Sequence, residues 1–375
     1  MSASQNGLRV VIVDVAHLFY KYAFGGAPPL SASILVDGVP QIVDTTLPTY
    51  VIKQIHRWSY FGAYPTVVCF DGKGSTASRK AYFLKNSAGS GSPVNYKEGR
   101  KFQDKRFYEG INITGNLLSA GGVLVLKKDG FEADDLIKVA VDRAKVQYPG
   151  VPIDVITGDT DLVPLVDDQV SVFLTSRKTT WAERPELEKR GYVQITPINY
   201  QSYIEGLSDN KKLFLPYNTL LLKKLLRGDK TDEIPGYPKF TPTKFNNLVG
   251  SLVEDGYDLG DIFRYDAHIK RVVYRGIGTE IPPEELDSVL EDQREYKYDD
   301  PPALTKMCDI LSGYLDDDII QHIRFVYRGI NLNAAYLDLP TQLQRRPCML
   351  TKDIHKYSAG ALQHAVSCVN IQLPV

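Results

Sequence analysis

Short apolar runs rich in β-branched residues recur along the first half of the chain and predict buried strands. These runs cover residues 8–13, 66–70, 123–126, 152–157 and 171–175. Segments with helical spacing of apolar residues alternate with them, at 16–24, 48–60, 107–120 and 133–146. Strands and helices that alternate at this interval indicate an α/β fold with a mostly parallel central sheet and flanking helices.

The second half of the chain has a different pattern. Strand signals fade from about residue 197, and helical patterns follow at 219–230, 243–253, 284–295, 303–313 and 316–326. The last forty residues mix proline, basic and apolar residues without a clear period. We therefore predict an α/β core over 1–205, a C-terminal helical region over 206–335, and a tail over 336–375 whose role the sequence does not indicate.

Composition narrows the class of protein. The chain has 375 residues, of which 43% are hydrophobic and 24% charged, as in soluble globular proteins. A net charge of -1 excludes a simple polycationic nucleic-acid binder but allows a local basic surface. The four cysteines are far apart and the six histidines do not cluster, so we expect thiols and no zinc site. Without a signal-peptide pattern or an 18-residue apolar stretch, we expect a cytoplasmic protein that does not bind a membrane.

Nine acidic residues occupy five short islands, most of which follow an apolar run. They are Asp14, Asp71, Glu132, Asp134, Asp135, Asp159, Asp161, Asp229 and Asp232. Asp14, Asp71 and Asp159 each fall at the carboxyl end of a predicted strand. In a parallel sheet these ends meet in one crevice, where ligands bind. Because gathered carboxylates repel one another and resist desolvation, the pattern predicts a divalent metal such as Mg²⁺ or Mn²⁺.

Each island also has a structural interpretation. Within FEADD, Glu132 and Asp135 share a helix face, but DGFE at 129–132 also fits a capping box. GDTD at 158–161 and the Asp229 island are equally compatible with turn-and-cap motifs. The joint occurrence of all five islands in this order is much harder to explain by capping, and it favours the metal hypothesis.

A basic arm, defined here as residues 73–106, interrupts the alternating pattern. Between Gly72 and Arg106 nine basic residues stand against two acidic ones, a local balance of +7. NSAGSGSP in its middle has the composition of a flexible linker. By itself this arm could be a solvated charged loop. Beside a carboxylate site it indicates contacts with nucleic-acid phosphates.

The ordered set of Asp14, Asp71, FEADD, GDTD and GDKTDEIPG resembles the flap endonuclease superfamily of 5′-nucleases, which has a PIN-like core. LLRGDKTDEIPG is similar to the phage type called ribonuclease H, which would place the protein in a host cytoplasm. The resemblance implies that all nine acidic residues hold two or more Mg²⁺ ions, for which Mn²⁺ would substitute. Glu132 is then a candidate for orienting a water. Since metal-generated hydroxide needs no histidine base, the absence of histidine near the motifs fits this chemistry.

The resemblance also implies residues that contact DNA. YKEGRK places Tyr96, Lys97 and Arg100 in the family's arch element, where the two basic residues contact the scissile phosphate as catalytic groups. Arg79 and Lys80 are accessory candidates. The Asp229 island would open a helix-hairpin-helix-like element near 225–250. After IPG, however, the chain reads YPKFTPTKF and lacks the expected glycines, so we do not expect the usual K⁺ site. Side-chain contacts from Lys239 and Lys244 are the alternative there.

These patterns predict a metal-dependent 5′-nuclease with 5′-3′ exonuclease and flap endonuclease activity. Its substrates would be 5′ ends, flaps or RNA primers of DNA, including RNA-DNA hybrids, in replication or repair. A PIN-like endoribonuclease shares the acidic strand ends, although it would not need the basic arm or the Asp229 island. A catalytically inactive nucleic-acid-binding scaffold is the third hypothesis. We expect a monomer, and the sequence indicates no protein partner.

Overall fold

The structure is a computed structural model that describes most of residues 1–205 and parts of the remainder. The described residues are 7–24, 28–36, 39–76, 80, 83, 105–175, 192–206, 213, 219–230, 233–259, 302–330 and 353–374. The predicted helix at 284–295, most of the basic arm and Asp232 lie outside these residues.

Within the described residues, six strands form one central sheet in the order β5-β4-β1-β6-β7-β8. Five strands run parallel: β1 (Val10–Asp14), β4 (Thr66–Phe70), β5 (Leu124–Lys127), β6 (Ile153–Thr157) and β7 (Val170–Leu174). They coincide with the apolar runs, so the predicted mostly parallel sheet is confirmed. At one edge β8 (Val193–Ile195) pairs antiparallel with β7. Three residues are too few to give a strand pattern, and the sequence did not predict it.

A separate antiparallel hairpin also escaped prediction. It consists of β2 (Ser31–Val36) and β3 (Val39–Asp44). Every residue of β3 is exposed or half-buried, and Ile42 is 83% exposed. A strand that buries so little has no long apolar run, and Pro40 is tolerated because this pair has free edges.

Helices cover both faces of the sheet. The helices before β7 are α1 (Val15–Phe24), α2 (Thr46–Trp58), α3 (Lys105–Ala120) and α4 (Ala133–Gln147), and a 3₁₀ turn spans Thr160–Leu165. The later ones are α5 (Tyr200–Gly206), α6 (Thr219–Arg227), α7 (Pro242–Glu254), α8 (Pro302–Leu311), α9 (Asp317–Ile330) and α10 (Ala359–Ser367). No described helix is both long enough and apolar enough to cross a membrane.

The apolar core lies on two sides of the sheet because alternate strand residues point in opposite directions. Val10 and Ile12 of β1 belong to the same apolar cluster as buried residues of α4 and of α6 to α9. Val11 and Val13 belong to a second cluster, with residues of α1, α2, α3 and α10. The helices of the predicted region 206–335 therefore share one core with the sheet.

The segment 353–374 packs against the sheet and its helices. The His355 carbonyl accepts a hydrogen bond from Thr66 N at 3.1 Å, at the start of β4. Arg143 of α4, only 1% exposed, forms an ion pair with Asp353. The Tyr357 hydroxyl bonds to His56 Nδ1 at 2.8 Å and to Ser59 Oγ at 2.5 Å. These contacts join the last described residues to the amino edge of the sheet, away from the carboxyl ends of the strands.

Leu362 of α10 tests how much this C-terminal packing contributes to stability. Its side chain is fully buried, and it lies so close to Gly121 that a Cβ there would come within 2.5 Å of Leu362 Cδ1. We expect Leu362→Ala to lower the free energy of unfolding by about 2–5 kcal/mol, because it leaves a cavity in the core. Denaturant unfolding measures the change, and His364→Ala, on the exposed side of the same helix, is the control. Equal stability of the two variants would contradict the packing.

Candidate active site

Three neighbouring strands bring acidic residues to one edge of the sheet. β1 lies between β4 and β6, and Val13 pairs with Val68 on one side and Ile156 on the other. Asp14 ends β1, Asp71 follows β4, and Asp159 follows β6. Since the strands are parallel, these residues lie at the same carboxyl edge. The convergence inferred from the apolar runs therefore follows from the observed strand order.

Asp14 is the most deeply buried of the three. Its Oδ2 accepts a hydrogen bond from Thr157 Oγ1 at 2.8 Å, and its Oδ1 accepts one from His17 N at 3.3 Å. Burial raises the pKa of Asp14 to about 6, because the charged carboxylate loses water. The hydrogen bond from Thr157 opposes this change in pKa, and the nearby negative charge of Asp71 adds to it. Asp14 therefore carries its negative charge at an electrostatic cost.

The amino end of α4 binds two further carboxylates. Asp71 Oδ1 accepts a hydrogen bond from Ala133 N at 2.8 Å, and Asp135 Oδ2 accepts one from Glu132 N at 3.0 Å. Glu132 is thus the N-cap residue, and Asp135 takes the third helical position of a capping box. The box predicted at 129–132 was displaced by three residues, since Asp129 instead accepts from Lys73 N. Asp134 lies half-buried in the same first turn.

The GDTD island forms a tight turn between β6 and the 3₁₀ turn. Asp159 Oδ1 accepts a hydrogen bond from Asp161 N at 2.9 Å, and Asp159 N donates to Thr157 Oγ1 at 3.0 Å. Thr157 therefore contacts both Asp14 and the Asp159 backbone. Asp159 does cap the turn, as its structural interpretation predicted.

A histidine lies beside these motifs, contrary to the expectation from sequence. A Cβ on Gly158 would come within 1.7 Å of His17 Cε1, so the imidazole packs directly on the glycine. His17 Nε2 lies 2.5 Å from the Thr175 carbonyl, just after β7. His17 thus links α1 to the turn that carries Asp159. The sequence signal that could have identified His17 is its position three residues after Asp14.

Asp229 lies in a tight turn after α6. Its backbone N–H and carbonyl pair with Ile234 at 3.0 and 2.8 Å. Gly228 has φ +71, and a Cβ there would come within 2.3 Å of the Ile234 carbonyl, so only glycine fits. Lys224 of α6 forms ion pairs with Asp161 and with Asp229, the latter at 3.2 Å. Sequence reasoning missed Lys224, which stands within a leucine-rich helix.

Residues 9–191 match the model of the family described as "5'-3' exonuclease, N-terminal resolvase-like domain". This segment is therefore similar to the 5′-3′ exonuclease family. The chain is 33% identical over 164 residues to DNA polymerase I of Mycobacterium tuberculosis, which covers 42% of this chain and 15% of that protein. DNA polymerase I of Thermus filiformis is 25% identical over 228 residues, or 61% of this chain and 22% of that protein. The chain thus spans less than a quarter of either relative.

Solved structures of nucleases also resemble the chain at low identity. The T5 D15 protein crystallised with metal ions has 14% identity and a TM-score of 0.45, over 86% of this chain and 99% of that chain. The catalytic core of Rad2 in complex with DNA substrate has 15% identity and a TM-score of 0.41, over 97% of this chain and 87% of that chain.

The site has the donor chemistry of a hard divalent metal centre. Its candidate ligands are all carboxylates, and the pKa of Asp14 is raised first by burial and further by the nearby charge of Asp71. Among the described residues, however, no three histidine, cysteine or acidic side chains already stand together as a metal site. Backbone N–H groups donate hydrogen bonds to the carboxylates of Asp71, Asp135 and Asp159. Lys224 forms ion pairs with those of Asp161 and Asp229. The ligand set therefore stays a prediction, and Asp232 lies outside the described residues.

Some of the predicted DNA-contact residues lie within the described part of the chain, and others do not. Arg79, Tyr96, Lys97 and Arg100 lie outside the described residues. Lys80 is half-buried near the base of the basic arm. Lys239 and Lys244 are exposed in and after the turn that joins α6 to α7. Lys239 has φ +61, a conformation unusual for a side chain of its size.

Asp14→Asn provides a pH-dependent test of the electrostatic cost. A raised pKa in the folded state stabilises the protein below pH ~4, and this contribution is lost as pH rises through about 6. In EDTA we expect Asp14→Asn to be more stable than the native protein by about 2 kcal/mol at pH 7 and nearly equal at pH 4. Chemical denaturation at the two pH values measures this. A difference independent of pH would contradict the burial of a charged Asp14.

Proposed function

We propose that this protein is a divalent-metal-dependent 5′-nuclease that hydrolyses phosphodiester bonds at the 5′ ends of DNA. The observation that carries this proposal is that the basic arm leaves the sheet at the acidic edge. The arm begins two residues after Asp71, and it returns to the core in α3. A basic segment rooted at a cluster of carboxylates suits a phosphate chain held against metal ions.

The described part of the arm supports this placement. Phe83 is fully buried, and its ring lies 5.5 Å from the ring of Phe325 in α9. The amino-terminal base of the arm is therefore anchored between the sheet and the helical region. We propose that Arg79 and Lys80, near this base, contact the DNA backbone. We propose that Lys239, in the turn before α7, and Lys244, in the first turn of α7, contact the duplex.

The nine acidic residues would hold the metal, with Mg²⁺ as the proposed ion and Mn²⁺ as a substitute. Two or more bound divalent ions supply an activated water and offset negative charge on the phosphate. Thr157 keeps Asp14 and the Asp159 turn in register through its hydroxyl. Lys97 and Arg100 would offset the charge that develops on the phosphate, Tyr96 would stack on a base, and Glu132 would orient a water.

The proposed substrates are 5′ flaps, nicked or single-stranded 5′ ends, and RNA primers on DNA, cleaved by a monomer in the cytoplasm during replication or repair. A PIN-like endoribonuclease and an inactive scaffold are the competing functions. A 5′-labelled flap duplex, a blunt duplex and a single-stranded RNA, each with Mg²⁺ or EDTA, distinguish them. We expect Mg²⁺-dependent cleavage of the flap. Cleavage of RNA alone would favour the endoribonuclease, and no cleavage would favour the scaffold.

Asp159→Asn and Asp71→Asn test the carboxylates within this scheme. An amide oxygen can still accept the hydrogen bonds from Asp161 N and Ala133 N, so the fold should persist. We expect cleavage to fall by about a thousandfold or more while flap binding remains, because the metal loses a charged ligand. Asp167→Asn is the matched control, since Asp167 caps a similar turn before β7, at the opposite edge of the sheet. Loss of folding in the first two variants would support a purely structural role.

Lys97→Ala tests the arm. If Lys97 offsets charge in the transition state, its removal should slow single-turnover cleavage by about a hundredfold and weaken flap binding by much less. Rapid-quench kinetics measures the first quantity and a fluorescence-anisotropy titration in Ca²⁺ the second. An effect confined to affinity would refute the catalytic role and leave Lys97 as a binding residue.

A further inference from the structure

Lys224 occupies an unusual position for a lysine. It lies in α6 between Leu221, Leu222, Leu225 and Leu226, all of which are buried in the core. Its own side chain is 11% exposed. An ammonium group is rarely desolvated to this degree unless it is paired, and the structure provides two partners.

The two partners come from different parts of the fold. Lys224 Nζ contacts Asp161 Oδ2, in the turn after β6, and Asp229 Oδ2 at 3.2 Å, in the turn after α6. The carboxylate side chains are 23% and 24% exposed, so solvent and ions can reach them. Lys224 therefore joins the helical region to the sheet edge through the two carboxylates.

Both partners are also candidate metal ligands. A divalent cation that binds Asp161 and Asp229 must use the same carboxylate charge that the ammonium now neutralises. Two cations held at one carboxylate pair repel each other strongly when water is partly excluded. The lysine and the metal are thus competitors for this pair.

We propose that Lys224 is a resident counter-ion of the Asp161–Asp229 pair and that a divalent ion displaces it on binding. This inference rests on the proposed function, because it takes the two aspartates as metal ligands. Lys224 keeps the carboxylates together in the metal-free protein and lowers their affinity for metal. It is a positioning residue, since it acts on the ligands of the metal.

Lys224→Met in the full chain tests the proposal, because methionine keeps the length of the side chain and removes its charge. Mn²⁺ binding is measured by electron paramagnetic resonance without DNA, and the melting temperature with and without Mn²⁺. We expect about tenfold tighter Mn²⁺ binding at the Asp161–Asp229 pair, since one competing unit charge is removed. The metal-free variant should melt lower than the native protein, and Mn²⁺ should raise its melting temperature by more.

Lys356→Met is the control for net charge. Lys356 is exposed beside Tyr357, at the amino edge of the sheet, and its replacement removes the same charge. Its Mn²⁺ affinity should match that of the native protein. If Lys224→Met binds Mn²⁺ no more tightly than this control, Lys224 is only a structural ion-pair partner and the proposal is wrong.

Lys224→Arg keeps the test decisive if the methionine variant does not fold. A guanidinium group binds carboxylates through two parallel N–H groups, so it should hold the pair more firmly and weaken Mn²⁺ binding several-fold. Unchanged Mn²⁺ affinity in the arginine variant would also overturn the proposal. Because these measurements use no substrate, their failure is distinct from the absence of cleavage that would refute the nuclease function.

Discussion

The cost of holding charged carboxylates at the end of a buried parallel sheet, through loss of water and then mutual repulsion, is the constraint on which the site depends. Asp14 bears it most directly, since burial and the neighbouring Asp71 raise its pKa to about 6. Hydrogen-bond donors near the carboxylates offset this cost. The Thr157 hydroxyl donates to Asp14, and backbone N–H groups at the amino end of α4 donate to Asp71 and Asp135. A helix amino terminus is well suited to this role, because its first N–H groups lack intrahelical partners.

The same donors explain why structural and functional interpretations of the acidic islands are compatible. Asp159 caps a turn with one oxygen, and Asp135 closes a capping box with one oxygen. A carboxylate has two oxygens, so a backbone hydrogen bond to one of them orients the other. Capping at these positions therefore fixes the direction of a candidate ligand, and it is no argument against metal binding.

The fold holds this edge in place from both sides. Alternate residues of β1 belong to two separate apolar clusters. One cluster includes residues of α4, the helix that begins after Glu132, and the other includes residues of α1, the helix that begins after Asp14. The segment 353–374 adds hydrogen bonds and an ion pair at the opposite edge, including the buried Arg143. Leu221, Leu222, Leu225 and Leu226 of α6 lie in the same apolar cluster as residues of α4. Lys224 therefore contacts Asp161 and Asp229 from a helix that is packed into the core.

Sequence alone determined the parallel sheet, the edge at which Asp14, Asp71 and Asp159 meet, and the resemblance to 5′-nucleases. Buried strands and helices have periodic apolar patterns, and strand ends in a parallel sheet share an edge, so these conclusions need no contact information. The β2–β3 hairpin and α10 have no such pattern, because β3 is exposed or half-buried and the buried residues of α10 are Leu362 and Val366. Only tertiary structure brought His17 onto Gly158, and Lys224 between Asp161 and Asp229. His17 and Gly158, like Lys224 and Asp161, lie far apart in the chain, and no local propensity encodes such a contact.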